Sequence, residues 1–138
     1  MIVRQPRILI VEDDVELRMM LRAALSLQGF DVELARNGYE ALQRIDRHPP
    51  DLLLLDLGLP DVDGLTVLED IAARPDTRRI PVVVITGSTD PLRSIDVRCI
   101  LRKPVSPDKV VDVVKDCLSG ETPGATASAA VHPAFKAL

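Results

Sequence analysis

The 138-residue chain reads as an α/β domain: five parallel strands in one doubly wound sheet with helices on both faces. Three observations predict this class. Apolar runs without alternation, Leu52 to Leu55 and Val82 to Ile85 above all, suit strands covered on both faces, as in a parallel sheet. Segments of helical periodicity separate the strand-like runs. Four of the five runs end in residues with chemistry: acids after the first and third, Thr86 after the fourth and Lys103 after the fifth. In open α/β sheets the carboxyl ends of the strands are where ligands bind.

Taken in order, Arg7 to Val11 is a β-branched and leucine run closed by Glu12, Asp13 and Asp14, and forms the first strand. From Val15 to Leu27, apolar residues recur at Leu17, Met20, Leu21, Ala24 and Leu25, a helical spacing that Gly29 ends as a C-terminal cap would. Phe30 to Ala35 alternates and makes a short second strand. Asn37-Gly38 turns into a second helix, Tyr39 to Arg47, which His48-Pro49-Pro50 stops. The four leucines of the third strand run into Asp56, and the loop after it turns on Gly58, Pro60 and Gly64. A third helix, Leu65 to Ala73, carries Leu65, Leu68, Ile71 and Ala72 at helical spacing. Pro81 introduces the fourth strand, and Arg98 to Arg102 is a weaker fifth. Ser106-Pro107 pairs an N-cap with proline at the first helical position, opening a last helix to Leu118 with Val110, Val113, Val114 and Cys117 inward. Residues 1–118 therefore make one domain. Residues 119–138, rich in Gly, Ala, Ser, Thr and Pro, are expected to be a flexible tail.

Composition excludes several classes of function. Hydrophobic residues make up 46% of the chain, with two Phe, one Tyr and no Trp, so the core is aliphatic. A formal net charge of -4, with no basic stripe among aromatics, argues against binding nucleic acid or an anionic membrane. The start, MIVRQPRILIVEDD, is broken by charge too early for a signal peptide, and no apolar run approaches the roughly 20 residues that span a bilayer. The expected location is the cytoplasm. Cys99 and Cys117 lack CxxC spacing and read as small core residues.

If the strand order is 2-1-3-4-5, the first and third strands adjoin at the switch point, and the acids after strand one meet Asp56. Singly, each candidate has a second reading. Asp56 could start a turn. Asp13 with Glu16 could be a capping pair, Thr86 before Gly87 a turn residue, and Lys103 before Pro104 a solvated charge. Their coincidence at successive strand ends favours one cleft. Neighbouring carboxylates repel, and a hard divalent cation with oxygen ligands, Mg²⁺, keeps them ionised. Such a metal is also the usual partner of a phosphoryl group, whose charge Lys103 would help neutralise. Asp56 would then be a nucleophile that becomes an aspartyl phosphate. Competing chemistries lack parts: His48 and His132 cannot assemble a catalytic triad or a zinc set, and no phosphate-binding glycine motif is present.

ILIVEDD, PPDLLLLDLGLPDVDG, IPVVVITG and LRKPV, in this order, resemble the response-regulator receiver domains of two-component signalling, over about Arg7 to Leu118. Asp13 and Asp56 are 43 positions apart, and Asp56 and Thr86 are 30, both normal for that family. The resemblance implies a flavodoxin-like fold and a phosphoryl group accepted on Asp56 from a histidine kinase or histidine phosphotransfer protein. It implies that Asp13, Asp56 and the main-chain carbonyl of Gly58 ligate Mg²⁺, with Glu12 acting through water, while Thr86 and Lys103 hold the phosphoryl oxygens. The Lys103-Pro104 bond is expected to be cis, and Asp14 is given no metal role. Signalling would pass by contact to a downstream protein, without turnover of an external substrate.

Two departures stand out. Only 17 positions separate Thr86 from Lys103, so a helix between the fourth and fifth strands must be short or absent. Ile100 stands where the family usually has Tyr or Phe. Three readings stay open: a stand-alone phosphoacceptor, the amino-terminal piece of a longer regulator whose output domain was removed, and a receiver-fold binding module without phosphorylation. A haloacid-dehalogenase-like phosphatase would need a second Asp two residues after Asp56, where this chain has Gly58.

Overall fold

Side chains from β1 (Arg7–Val11), β3 (Leu52–Asp56) and β4 (Val82–Thr86) are buried along their whole length in the computed structural model, which describes residues 4–59, 64–87 and 97–120. Around them lie β2 (Asp31–Ala35) and β5 (Cys99–Arg102), and the five strands form one parallel sheet in the order β2-β1-β3-β4-β5. Among the described residues there are four helices: α1 (Val15–Leu27), α2 (Gly38–Arg47), α3 (Gly64–Ala73) and α4 (Pro107–Ser119).

Because successive side chains of a strand point to opposite faces, the unbroken runs feed two cores. Ile8, Ile10, Leu52, Leu54, Val83 and Ile85 pack with Leu21 and Leu25 of α1 and with the valines of α4. Leu9, Val11, Leu53, Leu55 and Val84 pack on the other face with Ala41 and Ile45 of α2 and Val67, Leu68 and Ile71 of α3. Each such Val, Leu or Ile side chain contributes roughly 1.5–3 kcal/mol when fully buried. Cys99 and Cys117 belong to the first core, and burial pushes their thiols up to about 11 and about 12.

Caps set most of the helix ends. Asn37 accepts from the Glu40 amide at 2.8 Å, and Ser106 Oγ from Lys109 at 3.2 Å ahead of Pro107. Gly29 follows the last turn of α1 at φ +90, and Gly120 closes α4 at φ +82, left-handed conformations that suit glycine. At the start of α1 the cap is Asp14, whose Oδ1 accepts from Leu17 at 3.2 Å. The Asp13–Glu16 capping pair is thus not used, and Asp13 is left out of the cap.

Several faces turn differently from the apolar spacing. On α1 the buried residues are Arg18, Leu21 and Leu25, while Met20 is exposed. On α3 Val67 is buried and Leu65 exposed. The short helix expected between β4 and β5 falls on residues 88–96, and most of the expected tail on residues 121–138, both outside the described residues.

The amino edge of the sheet is closed by charge. Arg7 is buried, and its Nη1 donates to the carbonyls of His48 and Pro49 at 3.1 Å each, tying the end of α2 to β1. Its guanidinium also pairs with Glu33 at 3.4 Å and Asp31 at 3.8 Å. Asp51 accepts from the Arg7 amide at 2.7 Å and from Arg4 at 2.9 Å.

Candidate functional site

Register carries the polar strand ends to one edge. Val11 stands opposite Leu55, so Glu12, next on the chain, comes beside Asp56. Asp56 lies opposite Ile85, and Thr86 opposite Arg102. The Lys103 amide then donates to the Thr86 carbonyl at 2.8 Å, which sets the lysine side chain at the same edge.

The edge is crowded with acid. Glu12 and Asp56 are buried, Asp13 is exposed, and one carboxylate oxygen from each lies within 4.8 Å of the others. Lys103 Nζ reaches between the buried pair, 3.1 Å from Glu12 Oε1 and 3.3 Å from Asp56 Oδ2. The Gly58 amide donates to Asp56 Oδ1 at 2.9 Å, and the Asp14 amide to Glu12 Oε2 at 3.1 Å. Thr86 is buried at the end of β4. The Lys103-Pro104 bond is cis.

Three carboxylates gather at this edge around one ammonium, which pairs with two of them, and burial and that imbalance together set the electrostatics. Burial, and then the charge on Asp56, push Glu12 up to about 7 against the Asp14 amide and Lys103, which favour its ionised form. Burial alone would lower Lys103, but its hydrogen bond to Glu12 and the charges of Asp56 and Glu12 outweigh that and raise it. A set of hard oxygen donors with excess negative charge fits a divalent cation such as Mg²⁺.

Gly64 lets α3 approach this edge. A Cβ there would lie 2.5 Å from Leu57 Cα and 2.8 Å from the Asp56 carbonyl oxygen, so a side chain would push the helix off the loop that presents Asp56. Ile100 is buried in the second core, 4% exposed.

All the site residues expected from the sequence whose side chains are described, Glu12, Asp13, Asp56, Thr86 and Lys103, thus lie along one edge, and the Gly58 amide donates a hydrogen bond to Asp56. Sequence reasoning missed Arg18, whose Nη1 donates to the Glu12 carbonyl at 2.8 Å. A signal was there: Arg18 precedes Leu21 and Leu25 by three and seven positions, a cation on the buried stripe.

A parallel sheet in this order with an acid-rich carboxyl edge and a lysine at its centre defines the class to which the comparisons point. The chain belongs to the response regulator receiver domain family, which residues 8–115 match. It is 32% identical over 119 residues to the polar-differentiation response regulator DivK of Brucella anthropi, covering 82% of this chain and 97% of DivK. It is 40% identical over 82 residues to the phosphate regulon transcriptional regulatory protein PhoB of Rhizobium meliloti, covering 59% of this chain but only 36% of PhoB. Among solved structures, the signal receiver domain of a signal transduction histidine kinase from Syntrophus aciditrophicus superposes with a TM-score of 0.78 at 30% identity, covering 88% of this chain and 96% of that one. Phosphorylation and Mg²⁺ are typical of this family of two-component signalling modules.

Proposed function

We propose that Asp56 accepts a phosphoryl group from a histidine kinase or histidine phosphotransfer protein, and that the chain signals by contact with a downstream protein. The observation that carries this reading is Lys103 Nζ at 3.1–3.3 Å from two buried carboxylates, with Asp13 completing an acidic set. In the transfer, a carboxylate oxygen of Asp56 attacks phosphorus. A P–O bond forms, the P–N bond of the donor phosphohistidine breaks, and the imidazole leaves with the electron pair. Hydrolysis later returns Asp56 and inorganic phosphate. Mg²⁺, when bound, offsets the charge of the carboxylates and the phosphoryl oxygens. Asp13, Asp56 and the Gly58 carbonyl would hold it directly, and Glu12 through water. Lys103 and the Thr86 hydroxyl hold the phosphoryl oxygens, while the Gly58 amide fixes Oδ1 of Asp56.

The donor protein has a place to rest. An open groove of about 430 Å³, lined by Asp14, Glu16, Leu17, Met20, Lys103, Pro104 and Val105, adjoins the acceptor edge, and Val15, Met19 and Met20 are exposed on α1. Apolar surface beside the reacting edge suits a phosphohistidine-bearing protein. No helix among the described residues is long and apolar enough to cross a membrane. The short coverage of PhoB supports a second reading, in which these residues are the receiver portion of a longer regulator. The length of the open reading frame separates the two.

Incubation with a small phosphodonor and Mg²⁺, read by intact mass, tests the site. One phosphoryl adduct is expected, absent after chelation and abolished in Asp56→Asn. An adduct that survives either treatment, or maps to a Ser or Thr, overturns the assignment; no adduct at all favours a binding module of the same fold.

A further inference from the structure

We propose that Arg18 is a positioning residue for the cation site, holding the turn between β1 and α1 in the shape that aims Asp13 and Glu12. The inference rests on the reading of the carboxyl edge as a Mg²⁺ site. Arg18 lies on the buried face of α1 with Leu21 and Leu25, only 9% exposed. A long helical side chain leans toward the helix N-terminus. Arg18 therefore reaches back over the Asp14 cap, and its Nη1 donates to the main-chain carbonyl of Glu12 at 2.8 Å. Among the described residues no carboxylate forms an ion pair with it. A buried guanidinium that donates to a backbone carbonyl, with acids nearby, is serving the shape of the backbone there.

Glu12 shows what that shape controls. Its amide continues the β1–β2 ladder to the Ala35 carbonyl at 3.1 Å, and its carbonyl is taken by Arg18, so the backbone of Glu12 is held on both sides and the Glu12–Asp13 peptide is anchored through its carbonyl. The Glu12 carboxylate has partners of its own in Lys103 and the Asp14 amide. Asp13 does not: among the described residues its side chain makes no hydrogen bond, so its direction is set by its backbone. Groups that orient metal ligands from behind typically cost about 10- to 100-fold in affinity when removed. Charge acts the other way. Deleting a cation near a cation site tightens binding, so weaker binding on loss of Arg18 reports positioning and not electrostatics.

Calorimetric titration of Mg²⁺ into the unphosphorylated full chain tests this, with cooperative urea unfolding measured for every variant. Arg18→Met is expected to bind Mg²⁺ about tenfold more weakly. Arg18→Lys, which keeps one donor on a long stem, is expected to recover to within about threefold of the wild type. Arg7→Met, which disturbs the far edge of the sheet, serves as the control for general loosening and is expected to bind as the wild type does. Equal or tighter binding by Arg18→Met overturns the proposal, as does an equal loss in Arg7→Met. Should Arg18→Met fail to unfold cooperatively, Arg18→Gln and Arg18→Lys decide it: Gln weaker than Lys supports the positioning role, and both equal to the wild type sinks it. Absence of Mg²⁺ binding by the wild type overturns the underlying cation reading as well, and is thereby distinguished from failure of Arg18 alone.

Discussion

The two ends of β1 bury opposite charges, and the contrast between them separates structure from function in this sheet. At the amino end Arg7 is surrounded by Asp31, Glu33 and two main-chain carbonyls, and Asp51 is matched by Arg4 and the Arg7 amide. That end is satisfied. At the carboxyl end three carboxylates meet one lysine, and burial, with the charge of Asp56 added, holds Glu12 above the usual carboxylate range. The carboxyl Asp51 is shifted the other way: burial would raise it, but the hydrogen bonds from Arg4 and the Arg7 amide lower it on balance. One end has closed its electrostatics within the chain, and the other is left needing positive charge from outside.

The strongest way to break this comparison is Arg7→Met. Removing a buried cation that four partners share is expected to cost about 2–3 kcal/mol in urea unfolding, while phosphoryl uptake per folded molecule stays unchanged. A loss below about 0.5 kcal/mol would mean that the amino end is not held by charge.

Glu12→Gln is expected to act with the opposite sign. A carboxyl whose folded pKa lies above its unfolded value favours the fold fully at low pH, and that favour is lost as pH rises through the folded pKa. In metal-free buffer at pH 8, Glu12→Gln should therefore be more stable than the wild type by about 1–3 kcal/mol, at about 1.36 kcal/mol per pKa unit. The advantage should shrink as pH falls from about 7 toward 4.5, and saturating Mg²⁺ should reduce it at pH 8. A destabilised Glu12→Gln at pH 8 would place the carboxyl end among the satisfied ones.

The smallest effect belongs to Asp51→Asn, because its partners are partly exposed and a surface pair is worth under about 1 kcal/mol. Its lowered pKa contributes stability above the unfolded value of 3.8, lost as pH falls through the folded one. The wild type should exceed Asp51→Asn by about 0.5 kcal/mol at pH 7 and equal it below that range. A difference that grows on acidification would contradict the pairing.

Much of this was legible in the residues. β1, α1 and the start of α4 fall where the apolar runs, caps and Pro107 place them, because those signals are local. The site was legible for a different reason: polar residues interrupt apolar runs at strand ends, and a parallel sheet aligns such ends. Less legible were the helix faces. Met20 and Leu65 share the apolar spacing yet face solvent, while Arg18 is buried, since the spacing leaves a face ambiguous by one residue and the sheet beneath selects it.

By itself, then, the sequence determined the alternation of strands and helices, the family resemblance and the residues gathered at the carboxyl edge, because these rest on short local patterns and on the order and spacing of motifs along the chain. Tertiary structure decided that Asp14 and not Asp13 caps α1, that Arg7 and Arg18 are buried, and that Lys103 lies between Glu12 and Asp56. The physical reason is distance along the chain. Glu12 and Lys103 are 91 positions apart, and no periodicity reports how a long side chain resolves a charge against partners that only strand register brings within reach.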